Sequence, residues 1–350
     1  MKSLVKNNAL NRKLMLVLFV VVTAVSCGKK DEPIKPETAF GKWEVISGEF
    51  FEENSKYVHI NEDNTIDILS EDGLGFKQER SAIITVSDKQ ITISIYGSSI
   101  YNYMLQEDKL TITGASGNTI ALKRNSGIPD ASSWVKELSI LSEGAAPWDG
   151  EVDIAYNDTH IVYGKDRNAN RIGLVNPNNF NLEGEIVTTK SAYAVEVEKF
   201  DLPDKYIFQS SNGHANFYAY YENTNTLAFE SLNLGAWIKG LASIDDKTIW
   251  VSSSNEKQLY YYNYNVVPNQ ILETIDVDFQ PQGLDYQEGF LYVSDGRRIH
   301  KCQTNPTFMA VESYKIPNHN ISGIAFDGTN FWFSTSSESN YKLVKSNLTL

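Results

Sequence analysis

One pattern recurs five times between residues 148 and 350, at a spacing of roughly 40 to 45 residues. Each copy holds a short apolar strand, a polar turn, a second strand rich in aromatic residues, and a cluster of Ser, Asn, Asp or Gly. The second strands are predicted at 160–164, 205–209, 248–252, 290–294 and 330–334. Small antiparallel sheets cannot bury both faces alone, so copies of this size pack radially as the blades of a β-propeller.

The first strands of the repeats support the same count. They are predicted at 152–156, 193–197, 240–244, 283–286 and 323–326. In four of the five repeats the offset between the two strands is nearly constant, for example seven residues from Ile154 to Ile161 and eight from Leu241 to Ile249. We therefore predict five blades, with six as the alternative because the second repeat carries extra residues around 201–204.

The ends of the repeat region are complementary. Residues 134–141 have the apolar pattern of a strand but lack companion strands, whereas the fifth repeat stops after its third strand at 341–350. We predict that this N-terminal strand completes the last blade and closes the ring.

Composition indicates a globular all-β protein and argues against nucleic-acid binding. Hydrophobic residues make up 41% and aromatic residues 12% of the 350-residue chain. The Tyr, Phe, Thr, Ile and Val content between Gly, Asn, Asp and Ser clusters favours strands. With 31 Lys and Arg against 44 Asp and Glu, the net charge is −13, and such an acidic protein repels phosphate backbones.

The N-terminus has the pattern of a secretory signal. Residues 1–26 carry basic residues and no acid, and the apolar run 14–22 is too short for a spanning helix. The sequence Ala-Val-Ser-Cys ending at Cys27 resembles a bacterial lipobox, although Ala24 stands where the family most often has Leu. The resemblance implies that residues 1–26 are removed and that Cys27 is acylated. Acyl chains would then anchor the protein in a membrane.

Residues 27–38 are predicted to form a polar tether. Its Lys-Lys-Asp-Glu segment at 29–32 resembles the export signal that Bacteroidetes-type lipoproteins carry after the acylated Cys. The resemblance implies an outer-membrane, cell-surface location, with the periplasmic face as the alternative. The segment also fits a merely solvated linker.

Residues 39–125 are predicted to form a first, separate domain. Eight alternating strands with hairpin turns fit into this stretch, and closing them into a barrel would remove unpaired edges. Gly41 with Trp43, the strand–turn unit 57–66 and the final strands 109–113 and 119–124 resemble bacterial lipocalin-like domains. That resemblance implies an apolar cavity, but so short a barrel can also be filled by its own side chains, with Trp43 as a plug.

Residues 126–133 are predicted to be a linker, and residues 134–350 the propeller. The segments 238–242 and 321–325, each apolar with a central Gly, resemble the first strands of NHL-like bacterial propellers. Innermost strands converge on the axis, where a residue without Cβ permits close approach.

Loops that lead into the innermost strands surround the channel mouth, the usual ligand site of a propeller. Aromatic rings stack on the C–H faces of sugars while amides and carboxylates bind hydroxyls. The candidate ligand-binding residues are Trp148, Asp149, Tyr193, Trp237, Lys239, Gln282 and Asn320. The same aromatic rings would also serve as a plug of the funnel.

The sequence contains no recognisable catalytic motif, so we predict no catalytic residue, no metal site and no cofactor. Seven acids are candidates for the acid pair of a propeller glycosidase or the metal set of a lactonase, but none has a partner at motif spacing. They are Asp149, Glu151, Asp153, Glu196, Asp285, Asp295 and Asp327.

These observations favour a non-enzymatic binding or interaction module of the cell envelope. Its expected partners are a membrane, through Cys27, and a glycan or small molecule at the channel mouth. A propeller hydrolase, of the lactonase or glycosidase class, and a structural component of an outer-membrane assembly are the alternatives.

Overall fold

The computed structural model describes residues 38–48, 54–94, 98–165, 170–198, 205–211, 214–235, 237–266, 268–337 and 340–350. The predicted signal peptide, Cys27 and the extra residues 201–204 of the second repeat lie outside these ranges. The described part is all-β apart from one short helix, α1 (Ala131–Trp134). Within it, no helix has the length and apolar character needed to cross a membrane.

Contacts between residues divide the chain into two compact units. Of the described residues, the first contains 38–48, His59–Thr65 and those of Ile83–Ser126, and the second contains 54–58, Ile66–Ala82 and those of Gly127–Leu350. The segment Ile66–Ala82 therefore belongs with the C-terminal repeats.

Eight consecutive strands close into an antiparallel barrel, as predicted. They are β1 (Gly41–Ser47), β2 (Ser55–Ile60), β3 (Thr65–Glu71), β4 (Lys77–Val86), β5 (Gln90–Ser94), β6 (Ser98–Gln106), β7 (Lys109–Thr113) and β8 (Thr119–Arg124). Strands β1 and β8 pair with Trp43 opposite Arg124. The Trp43 ring is fully buried, its indole N–H donates to the Ala39 carbonyl at 2.9 Å, and the Arg124 guanidinium lies 4.3 Å from its centroid. Trp43 therefore fills the barrel rather than lining a ligand site.

The repeats form a five-bladed propeller, and six blades are excluded. Blade 1 has β11 (Ile154–Tyr156), β12 (Ile161–Gly164), β13 (Arg171–Val175) and β14 (Leu182–Val187); blade 2 has β15 (Val195–Val197), β16 (Tyr206–Ser210), β17 (Phe217–Tyr221) and β18 (Leu227–Glu230). Blade 3 has β19 (Ile238–Ser243), β20 (Thr248–Ser253), β21 (Gln258–Asn263) and β22 (Gln270–Asp276). Blade 4 has β23 (Leu284–Gln287), β24 (Phe290–Ser294), β25 (Ile299–Gln303) and β26 (Met309–Lys315); blade 5 has β27 (Asn320–Phe326), β28 (Phe331–Ser337) and β29 (Asn340–Ser346).

The ring is closed from the N-terminal side, but by a later segment than the sequence indicated. Strand β10 (Ile140–Ala145) is the fourth strand of blade 5 and pairs antiparallel with β29, with Glu143 opposite Val344. Residues 134–141 are not one strand: they contain the end of α1, the short strand β9 (Lys136–Glu137) and only the start of β10. Strand β9 runs parallel to β26 and extends blade 4 to five strands.

The closing strand was predicted too early in the chain for a physical reason. Trp134 and Val135 are buried with Leu69 in a small cluster of their own, and the Trp134 indole N–H donates to the carbonyls of Ser70 and Gln78 at 3.2 and 3.1 Å. Their apolar character therefore comes from this cluster and not from a strand in the ring.

Apolar side chains between neighbouring blades form the core of the second unit. Phe76 is fully buried among blade 3 and blade 4 residues, which include Leu284, Leu291 and Cys302. Cys302 is a buried free thiol whose pKa is raised by that burial, so it acts as a small apolar core residue.

Candidate functional site

The five innermost strands meet at an axis that is packed with backbone. The aligned positions just before or within these strands hold Asp153, Ala194, Gly240, Gly283 and Gly323. A Cβ on Gly283 would lie 2.5 Å from the Gly323 Cα, and one on Gly323 would lie 2.7 Å from the Asp153 Cα. The close approach predicted for these glycines is confirmed, and it leaves no room for a ligand at this level of the axis.

Asp153 ties three blades together at the axis. Its side chain is fully buried, and its two oxygens accept hydrogen bonds from the backbone N–H groups of Leu241, in blade 3, and Ile324, in blade 5, at 3.2 and 3.3 Å. Burial raises the pKa of Asp153 well above its usual range, although these N–H groups oppose the shift. An acid engaged in this way is a structural residue.

A serine in the second strand links each of four blades to the next. The hydroxyl donates to a carbonyl at the innermost strand of the following blade. The pairs are Ser210 with Ile238 at 2.7 Å, Ser252 with Gln282 at 2.6 Å, Ser294 with Ile321 at 2.6 Å, and Ser334 with Val152 at 2.5 Å. Blade 1 has Gly164 at this position, where a Cβ would lie 2.9 Å from the Ala192 carbonyl oxygen. This contact explains the recurring Ser or Gly of the repeat.

A polar cleft of about 370 Å³ opens beside the residues that lead into the innermost strands of blades 1, 4 and 5. This volume falls within the roughly 300–1,000 Å³ of typical ligand sites. Its lining residues include Glu151, Phe279, Gln282, Arg297 and Asn320. We call it the mouth cleft. Carboxylate, amide and guanidinium groups therefore converge on one space with a partly buried aromatic ring.

The turn between β24 and β25 shapes one wall of the mouth cleft. The Asp295 carboxylate accepts hydrogen bonds from the backbone N–H groups of Arg297 and Arg298 at 2.7 and 2.6 Å, and it also pairs with the Arg298 guanidinium at 2.9 Å. Burial alone would raise the pKa of Asp295, but the His300 ring, the Arg298 charge and the backbone N–H groups outweigh it and hold that pKa well below its usual range. Asp295 is therefore a fixed anion at neutral pH.

Behind this turn, three side chains are connected in the order of a nucleophilic triad. The Ser313 hydroxyl lies 2.8 Å from His300 Nδ1, and His300 Nε2 lies 3.3 Å from Asp295 Oδ2. Ser313 and His300 are 2% and 0% exposed, and the Phe76 and Phe279 rings pack on the His300 ring at 4.9 and 5.6 Å. A nucleophile needs access to substrate, and the Ser313 hydroxyl is buried. We therefore interpret these two hydrogen bonds as a support that holds the Asp295 carboxylate in position.

Two of the predicted ligand-binding residues, Gln282 and Asn320, line the mouth cleft. The Gln282 amide donates to the Gln280 carbonyl at 3.2 Å, which leaves its amide oxygen to accept. Asn320 is exposed at the start of β27.

The other predicted residues lie around Tyr193 and beside blade 3. Trp148 is half-buried and packs in one apolar cluster with Tyr193, which is 6% exposed, and the Lys239 ammonium lies 5.4 Å from the Tyr193 ring centroid. Asp149 is exposed next to Trp148, and Trp237 is 39% exposed with a φ of 68°. None of these five residues lines the mouth cleft.

Three of the seven candidate acids are buried in or directly before the innermost strands. Asp153, Glu196 and Asp285 are at most 2% exposed, and Glu196 accepts hydrogen bonds from the backbone N–H and hydroxyl of Ser243 at 3.1 and 2.7 Å. In the part of the chain that the structure describes, no three His, Cys, Asp or Glu side chains are grouped to hold a metal ion.

Sequence reasoning missed Arg297 and Phe279 as lining residues of the mouth cleft. The available signal was the sequence Asp-Gly-Arg-Arg at 295–298, which places two cations in a turn next to the channel mouth. The other four repeats have no such pair, so the repeat pattern did not point to it.

No protein-family profile matches the sequence. No curated protein matches it either. Among solved structures, the glutaminyl cyclase of Myxococcus xanthus covers 61% of this chain and 97% of its own, at 9% identity and a TM-score of 0.48. Streptogramin B lyase covers 88% of this chain and 94% of its own, at 16% identity and a TM-score of 0.35. TM-scores below 0.5 are too low for a function to be carried over, so the function has to be argued from the site.

Proposed function

We propose that the protein is a cell-envelope lipoprotein whose propeller binds a polar, hydroxyl-rich ligand, of the glycan class, in the mouth cleft, without catalysing a reaction on it. One observation carries the proposal: Gln282 and Asn320, named from the sequence, lie in one cleft with Glu151 and Arg297. The ring closure that joins blade 5 to blade 1 brings these residues together.

The chemistry of the mouth cleft suits hydroxyl groups. The amides of Gln282 and Asn320 donate and accept hydrogen bonds, and the Glu151 carboxylate accepts them. All three side chains can therefore form hydrogen bonds with sugar hydroxyls. The half-buried Phe279 ring offers an apolar surface for a C–H face. A ligand of this kind would be recognised by several modest contacts.

The placement of the acids supports binding over hydrolysis. Hydrolysis of a glycoside requires two carboxyl groups on either side of the scissile bond. Asp153, Glu196 and Asp285 are buried, and the Asp295 carboxylate is occupied by the turn that it supports. Of the carboxylates that line the mouth cleft, only Glu151 is exposed.

Binding is tested by removing both amides. We expect the double variant Gln282→Ala/Asn320→Ala to bind its best glycan about thirtyfold more weakly, since two hydrogen bonds contribute about 2 kcal/mol. The measurement is a glycan array with residues 28–350, followed by calorimetric titration of the best ligand. The control, Gln270→Ala/Asn181→Ala, removes one exposed Gln and one exposed Asn that do not line the cleft. Equal affinity of the two variants, or no glycan bound by the parent, would refute the proposal.

The lipid anchor is proposed from the lipobox-like sequence at Cys27. Acylation there would hold the protein on the outer membrane, at the cell surface or on its periplasmic face, where the propeller could also contact an outer-membrane protein.

Replacing Cys27 by Ser should prevent acylation, so we expect the variant to leave the detergent phase and appear in the soluble fraction or as an unprocessed precursor. Phase partitioning and the mass of the mature protein measure this. The control is Cys302→Ser, because Cys302 is a buried core thiol. A Cys27→Ser protein that still partitions into detergent like the parent would show that the anchor lies elsewhere.

A further inference from the structure

The backbone of Arg297 is held in place on two sides. Its N–H donates to Asp295 Oδ1 at 2.7 Å, and the preceding residue, Gly296, has a φ of 89° that favours glycine. The Gly296 carbonyl accepts a hydrogen bond from the Ile321 N–H of blade 5 at 2.9 Å. The turn is therefore fixed to the neighbouring blade, and the Arg297 side chain starts from a rigid point.

The two adjacent arginines have different surroundings. The Arg298 guanidinium is engaged, since it pairs with Asp295 at 2.9 Å and donates to the Glu79 carbonyl at 2.8 Å. Arg297 is exposed, and its guanidinium makes no hydrogen bond or ion pair with any residue of the described ranges. Arg298 stabilises the turn, whereas the Arg297 charge is available to a ligand.

Arg297 lies where two clefts meet. It lines the mouth cleft and also a second cleft, of about 350 Å³, whose walls include Lys315, His319 and Asn320. The Lys315 ammonium in that second cleft pairs with Glu79 and, at 3.2 Å, with Glu137. Arg297 is thus a cation at the boundary of two clefts, without an ion-pair partner among the described residues, in a chain with 13 more acids than bases.

We propose that the mouth cleft selects an acidic glycan and that Arg297 binds its carboxylate, as in a uronic acid residue; this rests on the proposed function. A guanidinium presents two parallel N–H donors that match the two oxygens of a carboxylate. The amides of Gln282 and Asn320 and the Glu151 carboxylate then pair with the hydroxyls of the same sugar, whose ring can lie against Phe279. Such a ligand would form an ion pair with the Arg297 guanidinium as well as hydrogen bonds with the other groups, whereas a neutral sugar would leave the guanidinium without an ion-pair partner.

The test compares acidic and neutral probes on the full mature chain. Calorimetric titration with trigalacturonate, its neutral counterpart galactotriose, and free galacturonate distinguishes a glycan from a small carboxylate. We expect trigalacturonate to bind at least tenfold more tightly than galactotriose, and its affinity to fall as salt rises. Arg297→Gln should weaken trigalacturonate binding by about tenfold to a hundredfold. Arg297→Lys should give an intermediate loss, because it keeps the charge without the paired donors.

Arg171→Gln is the matched control, since Arg171 is an exposed arginine paired with Glu185 on blade 1. We expect it to bind within about twofold of the parent, since an exposed ion pair contributes little. Thermal unfolding of each variant checks that the fold is intact.

If Arg297→Gln binds trigalacturonate like the parent, or if galactotriose binds as tightly as trigalacturonate, the acidic-glycan inference is wrong while the proposed function stands. Tighter binding of free galacturonate than of trigalacturonate would also refute the acidic-glycan inference. If the parent protein binds none of the three probes and no glycan of the array, both that inference and the proposed function are wrong.

Discussion

Replacing Gly283 by valine is expected to lower the free energy of unfolding of the propeller by about 3 kcal/mol or more. The new Cβ would lie 2.5 Å from both the Gly323 Cα and the Ser322 carbonyl oxygen. These are backbone atoms of the next blade, so no side chain can rotate to relieve the contact. The Ile324 N–H, next to Gly323 in the same strand of blade 5, donates to the buried Asp153 carboxylate, so displacing that strand would also remove one of the hydrogen-bond donors of Asp153. Chemical denaturation followed by Trp fluorescence measures the loss.

Gly73→Val is the matched control for this prediction. A Cβ on Gly73 meets no atom within 4 Å, so the same added side chain should change the stability by no more than about 0.5 kcal/mol. If Gly283→Val unfolds at the same denaturant concentration as Gly73→Val, the innermost strands are not packed as closely as described.

The architecture could be predicted because it is periodic. Each blade repeats the same short strand pair, so an error in one copy is corrected by the other four. The glycine of the first strand and the serine of the second were visible in the sequence as Gly240 with Ser252 and Gly283 with Ser294. The structure supplies their reason, because the glycine lets the strands converge and the serine hydroxyl binds the next blade.

The sequence predicted that an N-terminal strand closes the ring, but it did not show which residues form that strand. An apolar run identifies residues that will be buried, and Trp134 and Val135 are buried, but in a cluster with Leu69. The true closing strand, β10, has alternating exposed and half-buried residues and includes Glu143 and Gly144, so it lacks the apolar signal that was sought. An apolar sequence indicates that a segment will be buried, but it does not indicate which other residues will cover that segment.

The candidate site was predicted in part for a similar reason. Gln282 and Asn320 were found because they lead into innermost strands, which every propeller gathers at one end. Arg297 was missed because its position depends on Asp295, which is held in turn by His300 and Ser313 from two other positions in the chain. Asp153 was seen only as an available acid, because its function at the axis requires blades 3 and 5 to be placed around it.

The second large effect is expected from breaking the pairing of β10 with β29. In an antiparallel pair, one of two consecutive residues donates a backbone hydrogen bond to the partner strand, so prolines at both Ser142 and Glu143 remove a donor whatever the register. We expect the double variant Ser142→Pro/Glu143→Pro to be less stable by about 2 to 4 kcal/mol and to aggregate, because β29 becomes an unpaired edge. Binding at the mouth cleft should weaken as well, since Glu151 follows β10 in the chain.

Alanines at the same two positions provide the control. Ser142→Ala/Glu143→Ala keeps both backbone donors and removes the contacts of the Glu143 carboxylate with Lys342, at 2.7 Å, and with the His319 ring, at 3.9 Å. A loss of no more than about 1 kcal/mol is expected from it. Equal stability of the proline and alanine variants would mean that β10 contributes no pairing.

Amide hydrogen exchange of β29 tests most directly whether one closed five-bladed ring holds the site. In the parent protein, the amides of residues 340–346 that face β10 should be protected to the same degree as those of the central strand β28, because both strands are paired on two sides. In the proline variant these β29 amides should exchange far faster, while those of β20 in blade 3 keep their protection. Rapid exchange of β29 in the parent, at the rate of the edge strand β22, would contradict the closed ring and with it the common placement of Glu151, Gln282 and Asn320.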